Sequence, residues 1–209
     1  MAFMTTEKQD ETPESVEEIL QDKKSALRFL FELIQIAAIS LAIIIPVRYF
    51  LIQPFYVKGA SMEPNFFDHE YLIIDELSFR LRAPERGEIV VFRYPNDPRQ
   101  FFIKRVIGLP GETIEIEGGT IKVFNDTFPN GFTLPEDEYL QNVFTATNRT
   151  VTLREDEFYV LGDNRVSSLD SRYFGAVQED GIVGRVWLRG WPLDRWKVFE
   201  TPRYELNTL

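Results

Sequence analysis

Phe101-Phe102-Ile103-Lys104-Arg105-Val106-Ile107-Gly108-Leu109-Pro110-Gly111 reads as a β-strand closed by a turn. Aromatic and β-branched residues favour the pleated chain, and Leu109-Pro110-Gly111 supplies the turn chemistry that stops it. Alternation of side chains puts Lys104 on one face with Phe102 and Val106, and Arg105 on the other with Ile103 and Ile107. Each face carries one cation, so the pattern leaves open which face is buried. Similar short runs flank this strand: Tyr71–Asp75 and Glu88–Tyr94 before it, then Thr113–Glu117, Thr120–Phe124, Glu157–Leu161 and Ile182–Trp191. Pro84-Glu85-Arg86-Gly87, Gly118-Gly119 and Pro129-Asn130-Gly131 separate them as turns. No helical period intervenes, which predicts a mainly β, antiparallel domain. Pro129 to Asn148 is polar and irregular, and reads as a surface excursion.

Upstream the pattern changes. Ser15-Val16-Glu17-Glu18 has the form of a capping box that opens a helix. Phe29 to Val47 is then apolar apart from Glu32, Gln35 and Ser40, and the apolar character continues to Ile52. About 20 residues rising about 1.5 Å each cross a hydrocarbon core of about 30 Å. A buried soluble helix and a cleaved secretory signal are the competing readings, but the small-residue cleavage site of a signal is missing. The chain is therefore expected to comprise an acidic tail and helix start (1–28), a transmembrane anchor (29–52) and a β-rich domain (53–209). Lys23, Lys24 and Arg28 precede the span while Arg48 and Lys58 follow it, a bias toward a cytoplasmic N-terminus with the β-domain outside.

Composition narrows the chemistry. A net charge of −10 over 209 residues, with no Lys/Arg cluster, argues against nucleic acid as a partner. The absence of cysteine excludes disulfides, thiolate metal sites and cysteine nucleophiles. His69 is the sole histidine, in Phe67-Asp68-His69-Glu70, so a His-rich metal site is impossible. It reads better as a loop residue between acids than as a base.

Three segments can carry chemistry. In Gly59-Ala60-Ser61-Met62-Glu63-Pro64, small residues before a serine and a proline after it make a turn that leaves a hydroxyl and its N–H accessible. Lys104 is either an edge lysine whose stem covers apolar surface or a desolvated lysine neutral enough to act as a base. Gly162-Asp163-Asn164-Arg165-Val166-Ser167-Ser168-Leu169-Asp170-Ser171-Arg172 is dense in hydrogen-bonding groups. It is either a plain surface loop or one that locks itself by pairing Asp170 with Arg172, leaving a serine to orient another group.

Together these segments resemble the bacterial type I signal peptidases, Ser–Lys proteases of the inner membrane. The likeness also takes in Gly87-Glu88-Ile89-Val90-Val91-Phe92 and Trp191-Pro192-Leu193, with every segment in the family's order. It implies Ser61 as nucleophile, Lys104 as general base, Ser168 as the hydroxyl that orients the lysine, and Asp170 with Arg172 as a supporting ion pair. It implies a β-barrel-like catalytic domain with no metal or organic cofactor. The expected partners are secretory preproteins, cut after small residues, and the lipid bilayer. The expected location is the inner (plasma) membrane, with one pass. Gly59 stands where one branch carries a hydroxyl residue, which leaves the Ser61 N–H as the main oxyanion donor. The rival readings are a non-enzymatic, membrane-tethered β-domain for binding or scaffolding, and another Ser–Lys protease such as an organellar inner-membrane peptidase. The catalytic face is expected close to the lipid, because only about ten residues, at most about 3.6 Å each, separate Ser61 from the apolar span. Phe55, Phe66 and Phe67 around it either meet the interface or pack the core.

Overall fold

The structure, a computed structural model, describes residues 13–50, 52–141, 144–202 and 204; Glu7, Asp10 and Glu11 of the expected acidic tail lie outside the described residues. The chain divides into two units, 1–47 and 48–209.

The long helix α1 (Pro13–Phe50) begins two residues before the expected capping box, within the fraying range of helix ends. Its stretch Lys23–Ile45 is long and apolar enough to cross a membrane. Phe31, Ile36 and Ile43 stand exposed around its girth. Water gives no reason for such a helix to exist, because an all-round apolar surface is stabilised only against lipid or another apolar partner.

The second unit runs β1 (Ile52–Tyr56), β2 (Tyr71–Asp75), α2 (Ser78–Leu81), β3 (Ile89–Tyr94), β4 (Asp97–Gly108), β5 (Thr113–Glu117), β6 (Thr120–Phe124), β7 (Phe132–Thr133), β8 (Arg149–Thr152), β9 (Glu157–Leu161), α3 (Ser171–Phe174), β10 (Val177–Gln178), β11 (Ile182–Trp191) and β12 (Lys197–Val198). The strands form two antiparallel sheets. The larger has the order β1-β2-β11-β3-β4-β9-β10 with β12 on β11, and the smaller β7-β6-β5-β8. Each sheet stays open, so the mainly antiparallel β fold is present without a closed barrel.

Strand β4 is the spine of the unit, because apolar clusters form along it on both faces. Val106 packs with Val90, Phe92, Phe158 and Val160. On the opposite face Ile103 lies against Val57, Met62, Phe66 and Val91, and Ile107 against Ile114, Ile116, Tyr159 and Leu161. This settles what alternation left open: neither face is exposed here, and Lys104 and Arg105 are both 3% exposed.

One expectation needs correction, and one open alternative is decided. The segment Pro129–Asn148 is more than a surface excursion. Phe132–Thr133 pairs with β6, and Leu134, Leu140, Glu136 and Thr145 are buried. Its polar composition misled because Glu136 and Thr145 face a buried arginine rather than water. Of the three aromatics near Ser61, Phe66 is fully buried, its ring 4.6 Å from that of Phe199. Phe55 is half-buried, edge-on to Phe101 at 5.5 Å, and only Phe67 is exposed.

Candidate active site

The turn at Ser61 is held by its neighbours rather than by regular structure. Gly59 adopts φ +85°, a conformation costly for residues with a Cβ, and its N–H donates to Asp68 Oδ1 at 2.9 Å. The Glu63 N–H donates to the Ala60 carbonyl at 3.1 Å, and the Phe66 N–H to that of Met62 at 2.9 Å. Met62 and Phe66 are buried in the core, so they anchor the turn and turn Ser61 the other way, half-buried. Among the described residues the Ser61 N–H donates to no acceptor. It is left available to an incoming oxygen.

Strand β4 delivers Lys104 to the same point. Its Nζ donates to Ser61 Oγ at 2.8 Å and to the Ile103 carbonyl at 2.7 Å. Val90 lies opposite Lys104 across the ladder, and Nζ sits 5.4 Å from the centre of the Phe102 ring. Burial lowers the Lys104 pKa from its ordinary 10.5 to about 8, against the opposing pull of the Asp170 and Asp163 carboxylates. Ser61 and Lys104 both line a cavity of about 350 Å³, whose apolar walls include Phe55, Val57, Leu72, Val91 and Leu169.

The loop after β9 locks this arrangement. Arg172 grips Asp170 in a two-pronged pair, with Nε to Oδ1 and Nη2 to Oδ2 both at 2.8 Å. Asp170 also accepts from the Gly162 N–H at 3.0 Å and caps α3 through the Arg172 N–H at 3.2 Å. Asn164 holds the nucleophile segment itself. Its N–H donates to the Ser61 carbonyl at 3.1 Å, and its Nδ2 to the Ala60 carbonyl at 3.1 Å. Ser168 is buried in this loop beside Gly162, and its Oγ has no hydrogen-bond partner among the described residues.

Gly162 is where the loop, Ser168 and the nucleophile approach most closely. A Cβ there would collide with Ser168 Oγ and lie 2.5 Å from the Ser61 carbonyl oxygen. Gly162→Ala is therefore expected to destabilise the domain by about 1–3 kcal/mol through overpacking. It should also slow acylation of Ser61 well beyond any loss of folded protein. Melting curves and reaction with a serine-directed reagent check both effects.

The family model described as signal peptidase, peptidase S26, matches residues 30–191, which include both Ser61 and Lys104. The chain belongs to this signal peptidase family. It is 39% identical over 166 residues to the Synechocystis protein named "Probable signal peptidase I-2", covering 77% of this chain and 72% of that one. It is 31% identical over 197 residues to signal peptidase IB of Staphylococcus aureus, covering 88% of this chain and 100% of that one. A solved signal peptidase I from Enterococcus faecalis is 34% identical, with a TM-score of 0.42 over 50% of this chain and 97% of that chain.

Of the residues singled out from the sequence, Ser61 and Lys104 meet directly, Asp170 and Arg172 pair, and Ser168 lies within the same loop. His69 lies apart, exposed and paired with Asp68 Oδ2 at 2.9 Å, and it does not line the cavity. Sequence reading passed over the other ion pairs that frame this site. Arg105 donates to Asp163 through Nε at 2.8 Å and Nη2 at 2.7 Å, and through Nη1 to the Gly87 carbonyl at 2.8 Å. Arg165 grips Glu136 with both Nη atoms, reaches Thr145 Oγ1 at 2.7 Å, and donates from Nε to the Gly162 carbonyl at 3.0 Å. The signal was present in principle. Two adjacent cations in one core strand require carboxylates or a lowered pKa, because unpaired buried charge is costly.

Proposed function

We propose that this chain is a membrane-bound serine endopeptidase that removes signal peptides from secretory preproteins, with Ser61 as nucleophile and Lys104 as general base. The observation that carries the reading is the 2.8 Å contact between Lys104 Nζ and Ser61 Oγ at the wall of a mainly apolar cavity. Family membership supports the substrate class.

In the neutral amine, the Nζ lone pair faces the Ser61 hydroxyl while one N–H remains on the Ile103 carbonyl. Ser61 Oγ attacks the peptide carbonyl carbon as its proton passes to Nζ. The charge that develops on the carbonyl oxygen is met by the Ser61 N–H. Collapse of the tetrahedral species breaks the C–N bond, and the Lys104 ammonium returns the proton to the leaving amine. Water then attacks the Ser61 ester by the same proton route and regenerates both groups. Ser168 Oγ, buried without a partner, is the group assigned to hold the amine in line, and the Asp170–Arg172 pair holds the loop that carries it.

The apolar helix within α1 anchors the enzyme as a single pass, with the N-terminus cytoplasmic and the β unit on the outer face of the inner (plasma) membrane. The Lys23, Lys24 and Arg28 flank supports that orientation. Leu72 and Val91 line the cavity beside Ser61, apolar walls that suit an uncharged side chain at the cut.

Incubation of the detergent-solubilised chain with a preprotein should yield one new N-terminus, immediately after a small residue such as Ala. Equal processing after bulky or charged residues would sink the assignment. An acylating serine reagent should label Ser61, which a tethered binding domain would leave unmodified.

A further inference from the structure

Ser61 and Lys104 belong to segments far apart in sequence, and the 2.8 Å contact between them must be set by whatever joins those segments. On the upstream side, Asn164 holds the Ala60 and Ser61 carbonyls. On the downstream side Met62 and Phe66 pack against Ile103, and Asn65 makes the polar connection. Asn65 Nδ2 donates to Asp163 Oδ2 at 2.8 Å and to the Tyr139 carbonyl at 2.9 Å. Both partners are acceptors, so the amide orientation is fixed by its surroundings. Asp163 Oδ2 also receives Arg105 Nη2 at 2.7 Å, and Arg105 follows Lys104 directly on β4. The backbone of Asn65 is tied as well. Its N–H donates to the Met62 carbonyl at 3.0 Å, and its own carbonyl accepts from Arg189 Nη2 at 2.5 Å. Consecutive residues Asp163 and Asn164 thus grip the nucleophile turn from both sides, and Asn65 is the handle for one of them.

We propose that Asn65 is a positioning residue that fixes Ser61 Oγ against Lys104 Nζ by bridging the nucleophile turn to the Asp163–Arg105 pair. The proposal deepens the Ser61–Lys104 reading and rests on it. Asn65 does not line the cavity, so its effect falls on the chemical step and leaves substrate affinity alone. Misplacing reacting groups by about 1 Å costs about 100-fold in rate. Asn65→Ala is therefore expected to lower kcat about 10- to 100-fold with KM within about twofold. Asn65→Asp keeps the shape but can donate to neither acceptor, and it sets a second carboxylate against Asp163. It is expected to be at least as impaired as Asn65→Ala.

The experiment uses the full chain in detergent. It measures kcat and KM on a preprotein, the rate of Ser61 acylation by a small serine reagent, and the folded fraction by near-UV circular dichroism. Support is a drop in kcat and in acylation by the same factor, after correction for folded fraction, in both variants. The proposal is overturned if activity per folded molecule stays within about twofold of wild type, if the loss falls on KM, or if Asn65→Asp behaves as wild type. Wild-type protein separates the two levels: no acylation of Ser61 in wild type defeats the Ser–Lys reading itself, whereas normal acylation in wild type and variants alike defeats only the role of Asn65.

Discussion

Lys104→Met is expected to abolish cleavage and, at neutral pH, to make the folded domain more stable. The two effects share one cause. Burial holds the Lys104 pKa at about 8, below its ordinary 10.5. At pH 7.4 about one molecule in five then carries a neutral amine, compared with about one in a thousand for a free lysine. Methionine preserves the length and packing of the side chain but has no basic atom, and a positioned base with its nucleophile contributes at least about 10²–10⁴ in rate. Lys104→Arg does no better, since guanidinium does not release its proton at these pH values. In wild type, activity should rise with pH through a midpoint near 8. Substantial turnover by either variant would show that another group activates Ser61.

The stability effect follows from proton linkage. Between pH 8 and 10.5 the unfolded chain binds more protons at this site than the folded one, so wild-type stability climbs across that window. Below it the full cost of burying an ammonium applies, about 3 kcal/mol from the size of the shift. Methionine removes that cost but also loses the Nζ hydrogen bonds to Ser61 and Ile103, together about 1–2 kcal/mol. The variant should therefore be more stable than wild type at pH 7 by about 1–2 kcal/mol, and the difference should vanish or reverse above pH 10.5. Urea unfolding at both pH values tests this. A variant less stable at pH 7 would mean that the lysine is not desolvated.

Asp163→Ala carries the largest expected loss of stability. Asp163 receives both prongs of the buried Arg105 guanidinium, which also lies 3.8 Å over the Tyr139 ring, and it accepts from Asn65. Removing the carboxylate strands a charge with no route to water. Breaking such pairs costs about 3–5 kcal/mol, a large part of the about 5–15 kcal/mol that holds a domain together. Replacing both partners, Asp163→Leu with Arg105→Met, should cost clearly less than the single change, because no charge is left unpaired. Urea unfolding of the single and double variants decides the matter. An Asp163→Ala protein within 1 kcal/mol of wild type, roughly the worth of an exposed pair, would show that solvent reaches Arg105.

Most strands, the apolar helix and the two residues in contact at 2.8 Å, Ser61 and Lys104, were legible in the chain order. Each depends on a short window: alternation along 101–107, turn residues at Leu109-Pro110-Gly111, a mostly apolar run from Phe29. The pairing of Asp170 with Arg172 was legible for the same reason, since a single residue separates them. Strand β1, which follows directly on the apolar run, and the short strands β7, β8, β10 and β12 escaped notice. Segments of two to four residues hold their shape only through neighbouring strands, and they carry too little alternation to read.

Local sequence settled that a lysine and an arginine sit side by side on a core strand; only the tertiary structure decided which of the two has a carboxylate partner among the described residues. Arg105 and Asp163 are 58 residues apart, and Arg165 and Glu136 are 29 apart. No window of a few residues contains both members of either pair. Register across β3, β4 and β9 brings a carboxylate to Arg105 and none to Lys104 Nζ, which meets a hydroxyl and a carbonyl instead. The same burial therefore leaves one cation paired and charged, and drives the other toward the neutral amine.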